Sequence, residues 1–131
     1  MTRLAVLADI HANLPALEAV IADVAQYDVD HVIVAGDAIN WGPEPAAVVE
    51  RIVASDWGVI RGNNEYYLLD YQTPREPDAW RDYEMTPYLH RHLAGRLHHT
   101  IAAWPDTISL RYPDAPPVRV WHGSPRSPSE G

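Results

Sequence analysis

Leu4-Ala5-Val6-Leu7-Ala8-Asp9-Ile10-His11-Ala12-Asn13 decides how the chain is read. A compact apolar run without alternation, the mark of a strand covered on both faces, stops at an acid. Asn13 is a good N-cap and Pro15 suits a first helical turn. Leu17, Val20, Ile21 and Val24 then repeat at helical spacing, which predicts a helix from Asn13 to Asp28. Working outward, His31-Val32-Ile33-Val34-Ala35 reads as a second buried strand, halted by Gly36-Asp37 and the loop Asn40-Trp41-Gly42-Pro43. Pro45 to Ser55 reads as a helix with Val48, Val49, Ile52 and Val53 inward, and Gly58 to Arg61 as a third strand closing at Gly62. A β-α-β-α-β order implies an α/β fold with a parallel core and right-handed crossovers.

Beyond Gly62 the character changes. Pro74, Pro77 and Pro87 among charges predict a surface excursion over residues 72–87. One helix is expected from about Pro87 to Ala103, since Leu89, Leu93, Leu97, Ile101 and Trp104 fall along one side. Ile108 to Tyr112 and Val118 to Trp121 read as a short antiparallel pair joined by Asp114-Ala115-Pro116-Pro117, and Ser124 to Gly131 shows no periodicity.

The 131 residues suit a single domain, 1–131, and 47% hydrophobic with 21% charged residues suits a globular chain rather than a disordered one. A formal net charge of −8 repels a long polyanion, so small phosphorylated molecules rank above nucleic-acid duplexes as partners. With no cysteine, His and carboxylates are the strong metal ligands that remain. No segment is long and apolar enough to suggest a membrane span or a leader, and a cytoplasmic location is expected.

Each strand of the parallel core ends in ligand-type residues: Asp9-Ile10-His11, Gly36-Asp37, and Gly62-Asn63-Asn64-Glu65. The C-terminal ends of adjacent parallel strands lie side by side, so these distant positions can converge on one small volume. His122-Gly123-Ser124-Pro125 ends the last strand in the same way. Taken alone, each pair is an ordinary turn or cap. Their joint order at successive strand tips favours a metal site over coincidence.

Asp-x-His, Gly-Asp, Gly-Asn-x-Glu and a strand-end His-Gly together resemble the calcineurin-like metallophosphoesterase superfamily. Ala8-Asp9-Ile10-His11-Ala12-Asn13 and His122-Gly123-Ser124-Pro125-Arg126 are similar to its small bacterial phosphodiesterase-like branch, and the resemblance covers nearly the whole chain. It implies a partial α-β-β-α sandwich with a binuclear centre. Asp9 and His11 would hold one divalent ion, Asp37 would bridge, and Asn63 and His122 would hold the second, with manganese expected ahead of iron or zinc. A metal-bound hydroxide would then attack phosphorus in line.

Two departures shape the expected chemistry. Asn64 stands where the superfamily usually has His, and an amide can orient a substrate but cannot protonate a leaving group near neutral pH. The expected activity is therefore metal-dependent hydrolysis of phosphodiesters, with Asn64 touching substrate and Arg126 either neutralising phosphate or lying on the surface. The family's Gly-His-Thr-His motif is absent, so the chain is expected to lack the family's C-terminal portion and two metal ligands. His90, His92, His98 or His99, a neighbouring chain, or water could replace them, although polarity on a solvated helix is the plainer reading of those four. An exposed sheet edge would invite a homodimer. Trp41 could be a pocket wall or packing, and Tyr66, Tyr67 and Tyr71 are expected in packing before stacking on a nucleoside. The rival readings are a non-catalytic interaction module of the same fold and a phosphomonoesterase.

Overall fold

The computed structural model describes residues 1–113 and 115–130. Asp114 in the expected turn, and Gly131 at the end of the tail, lie outside the described residues. The sequence order became β1 (Leu4–Leu7), α1 (Leu14–Val24), β2 (His31–Ala35), α2 (Pro45–Val53) and β3 (Gly58–Ile60). Next come α3 (Asn63–Leu69), a 3₁₀ turn at Asp78–Trp80, α4 (Met85–His92), α5 (Arg96–Ala103), β4 (Thr107–Leu110) and β5 (Val118–Trp121). The fold is α/β, with a three-stranded parallel sheet in the order β1-β2-β3 and a separate antiparallel β4-β5 pair.

Parallel register pairs Leu4 with His31 and Leu7 with Val34, then Ile33 with Gly58 and Ala35 with Ile60. All three strands therefore end at one level, and the segments after them share an edge. Asn13 caps α1 as expected, its side-chain oxygen accepting from Ala16 N at 3.0 Å. One apolar core joins Leu17 of α1, Val34 of β2, Val48, Val49 and Ile52 of α2, Leu68 of α3, and Leu89, Leu93, Leu97 and Ile101. It is this core that holds the strand tips in register.

The structure departs from the sequence reading at five points. The single helix over 87–103 is two helices, α4 and α5, with Gly95 between them at φ 66° and ψ −122°, a conformation open to glycine. Leu89, Leu93, Leu97 and Ile101 stay buried across the break, so their spacing concealed it. Residues 63–69 form a helix directly after β3, whose cap is the motif glycine, Gly62. β1 is not covered on both faces: Val6 is 50% exposed and, among the described residues, β1 pairs with β2 alone. Val53, expected inward, is 46% exposed because α2 turns only Pro45, Val48, Val49 and Ile52 to the core. Helix α1 ends at Val24 rather than Asp28. Among the described residues no helix is long and apolar enough to cross a membrane.

Candidate metal centre

The chain leaves β1 and β2 along parallel paths. Asp9 N donates to Gly36 O at 3.2 Å, His11 N to Asp37 O at 3.0 Å and Ala12 N to Ala38 O at 2.9 Å. Holding this course requires left-handed backbone at Asp9, His11, Ala12, Asp37, Asn40 and Trp41, with φ between 50° and 78°. Each such non-glycine residue costs about 1–2 kcal/mol. Strain of this kind persists where the surrounding structure over-determines it, and here it is concentrated in the two loops beyond β1 and β2. Glycine is required where these loops touch the third tip: a Cβ on Gly36 would lie 2.6 Å from Gly62 N and 2.8 Å from His122 Nδ1, and one on Gly62 would meet Asp37 Oδ1.

The result is a small cage of oxygen and nitrogen atoms. One ligand atom each from Asp9, Asp37 and His122 lie within 4.8 Å of one another. His11 Nε2 is 3.4 Å from Asp9 Oδ1 and 4.0 Å from Asp37 Oδ2, and His122 Nε2 is 3.5 Å from Asp37 Oδ1. Asn63 Oδ1 lies 3.1 Å from His122 Nε2. Asp37 is buried at the middle, while Asp9 is exposed at the rim.

Hydrogen bonding around the cage decides what it suits. His122 Nδ1 donates to Ala35 O at 2.8 Å, which leaves Nε2 as a lone pair facing the oxygens of Asn63 and Asp37. A divalent cation between these atoms would satisfy all of them at once. Among the described residues, His11 Nδ1 is buried without a hydrogen-bond partner. The donors are carboxylate, imidazole and amide oxygen, a set that fits divalent manganese, iron or zinc.

Asp37 is held from behind. Asn64 N donates to its Oδ1 at 2.9 Å and the Asn64 side-chain amide donates to its Oδ2. Asn64 Oδ1 in turn accepts from Asn40 Nδ2 at 2.8 Å and Trp41 Nε1 at 3.0 Å, which fixes which way the amide points. Glu65, fully buried, accepts from Gly62 N at 2.6 Å, Ala38 N at 2.9 Å, Asp37 N at 3.0 Å and Ile39 N at 3.3 Å. Burial pushes the Glu65 carboxyl above its usual range, with the nearby Asp37 charge acting the same way and the backbone donors opposing both. One carboxylate thus ties the β2 tip to the β3 tip.

Of the residues singled out in the sequence, Asp9, His11, Asp37, Asn63 and His122 are brought together. Asn64 is beside them, with its amide engaged by Asp37, Asn40 and Trp41. Arg126 is exposed, with Nε 3.3 Å from Glu130 Oε2, and shares a cavity of about 230 Å³ with His122. The four helix histidines do not join the cage: His90 lies against Tyr71 and His98, His92 stacks on Tyr88, and His98 meets His99. Sequence reasoning missed the buried anchoring by Glu65, the Asn40 and Trp41 bonds to Asn64, and the Ala35 carbonyl that orients His122. Asn40 beside Trp41-Gly42-Pro43 was the available signal, since Asn is among the residues that tolerate positive φ.

A family model for calcineurin-like phosphoesterases matches residues 2–123. An uncharacterized protein of Methanocaldococcus jannaschii, MJ0912, is 35% identical over 66 residues, which are 50% of this chain and 27% of that protein. The crystal structure of a metallophosphoesterase from Sphaerobacter thermophilus matches 97% of this chain and 49% of its own at a TM-score of 0.73 and 26% identity. Hypothetical protein PH1004 from Pyrococcus horikoshii OT3 matches 100% of this chain and 58% of its own, with a TM-score of 0.80 and 22% identity. Yfce, a phosphoesterase from E. coli, matches 95% of this chain and 60% of its own, with a TM-score of 0.55 and 23% identity. The last two likenesses speak to the fold alone. The chain spans only part of the length of each of these relatives: 27% of MJ0912 and 49%, 58% and 60% of the three solved chains.

Proposed function

The chain belongs to the calcineurin-like phosphoesterase family, and from that premise we propose that it is a metal-dependent phosphoesterase acting on phosphodiesters at a binuclear centre. The observation that carries the reading is the convergence of Asp9, His11, Asp37, Asn63 and His122 with their acceptor atoms turned on one another. Two divalent cations held there would polarise the phosphoryl oxygens and lower the pKa of a bound water. Asp9 and His11 would hold one ion and Asn63 and His122 the other, with Asp37 serving both. Manganese is the first candidate, ahead of iron or zinc.

The chain's own contribution is placement. Asp37 cannot swing, because Asn64 holds both of its carboxylate oxygens. His122 keeps the tautomer that the Ala35 carbonyl selects. Asn63 supplies a neutral oxygen, which limits negative charge in a site that must accept an anion. Asn64 orients Asp37 with an amide already engaged by protein partners, and beside the substrate it could not protonate a leaving group, a loss of the roughly 10²–10⁴-fold that general acid catalysis supplies. Esters with acidic leaving groups suffer least from that loss, which favours activated diesters over alkyl monoesters. Arg126 is assigned to the phosphate from the His122 side. The expected partners are a small phosphorylated substrate and, through the β1 edge that no strand among the described residues covers, a second copy of the chain.

Hydrolysis of bis(p-nitrophenyl) phosphate with and without Mn²⁺ tests the proposal, comparing the parent with Asp37→Ala. Metal-dependent turnover should fall in the variant by more than the roughly 10–100-fold that loss of an outer partner costs. Turnover indifferent to both metal and substitution would refute the assignment. Faster hydrolysis of p-nitrophenyl phosphate than of the diester would make the protein a monoesterase.

A further inference from the structure

Trp41 sits in an awkward place for a bulky residue. Gly42 N donates to Asn40 O at 2.8 Å, closing a γ-turn with Trp41 at its apex at φ 65°. The turn is pressed against the first loop, since a Cβ on Gly42 would lie 2.7 Å from Ala12 O and Glu44 N donates to that same oxygen at 3.1 Å. Such a turn could tuck the indole into the core, yet Trp41 is 63% exposed. Its orientation is fixed instead by polar contacts: Trp41 N donates to Asn40 Oδ1 and Nε1 donates to Asn64 Oδ1, each at 3.0 Å. Through Asn64 the ring is two hydrogen bonds from Asp37.

The exposed ring lines a cavity of about 600 Å³ that also contains Asp9 and His11 and has apolar walls from Val6, Ile10 and Val20. That volume is within the range of sites for small organic molecules. Among the described residues its lining includes no arginine or lysine, so a second phosphate would find no counter-charge there. A single anionic centre at the cage and an uncharged flat group beside it match what the walls offer.

We infer that Trp41 is a stacking platform for the substrate, and that the site takes a monoanionic phosphodiester one arm of which is a planar aromatic group. The inference rests on the phosphoesterase reading for the position of the phosphate and adds the class of its organic arm. The indole face provides the stacking surface, and the strained, doubly anchored turn keeps it from collapsing onto the protein.

Equilibrium binding separates this inference from turnover. Methyl phenylphosphonate and dimethyl phosphate, both monoanionic with only methoxide to lose, are titrated into Zn²⁺-loaded ¹⁵N-labelled protein, with Trp41→Leu and Trp41→Phe alongside. The parent should bind the phenyl probe roughly tenfold tighter than the dimethyl probe, a difference of about 1.4 kcal/mol. The indole signal missing from both variants should move with the phenyl probe. Trp41→Phe, which keeps a flat ring but loses the bond to Asn64, should retain most of the preference, and Trp41→Leu should abolish it. Equal preference in the parent and Trp41→Leu, a stationary Trp41 signal, or no binding of the phenyl probe would overturn the inference. A preserved binding preference without hydrolysis of any diester would leave the platform standing and remove the hydrolase reading.

Discussion

Replacing Glu65 by Gln tests how the cage is supported. The carboxylate accepts four backbone N–H groups, two on each oxygen: Gly62 and Asp37 on Oε2, Ala38 and Ile39 on Oε1. Gln keeps the shape but has one acceptor oxygen, so either orientation leaves two buried N–H groups facing an NH₂ donor. Each unsatisfied donor costs about 1–3 kcal/mol. Removing a buried charge returns part of that, because burial already disfavours the ionised form of Glu65. The expected net loss is about 2–4 kcal/mol, a large fraction of the roughly 5–15 kcal/mol that holds a domain together. Urea unfolding followed by far-UV circular dichroism reads it as a midpoint lowered by roughly 1–4 M at unchanged slope, for a slope of about 1–2 kcal/mol/M. A loss below about 0.5 kcal/mol would be the ordinary effect of a surface substitution. That result would refute the claim that Glu65 joins two strand tips.

Gly95→Ala should lower stability by about 1–3 kcal/mol with no loss of packing, since a Cβ there meets nothing within 4 Å and the cost is backbone conformation alone; denaturant midpoints of parent and variant measure it. His98 titrates below its usual value because of partial burial, with the neighbouring His90 and His99 acting in the same direction. As pH falls, the unfolded chain therefore takes up this proton before the folded one. The His98 contribution is full above about pH 6.5 and is lost as pH drops from there to the lower folded value. Melting temperature followed between about pH 5 and 8 should show that slope, and His98→Gln should flatten it.

How much was legible in the sequence differs by element. Asp9, His11, Asp37 and Asn63 could be placed because the register of parallel strands carries sequence motifs to one edge, whereas His122, after the separate antiparallel pair, was legible from its strand-end His-Gly motif. Helix α3 was hidden because it spans seven residues and opens on two asparagines, which are weak helix formers. The break at Gly95 was masked by apolar residues that keep their four-residue spacing across it. Val6 looked like a doubly covered residue because its neighbours are apolar, and composition does not reveal which strand lies at the edge of a sheet. The carboxylate of Glu65 and the indole of Trp41 act through contacts more than twenty positions away in sequence, which no local pattern encodes.

Anomalous diffraction from crystals soaked in Mn²⁺ tests the central claim most directly. The account predicts two peaks roughly 3.5–4 Å apart, with the Asp37 carboxylate between them, Asp9 and His11 on one, and Asn63 and His122 on the other. Peaks elsewhere, or no peak within bonding reach of Asp37 at saturating Mn²⁺, would contradict it.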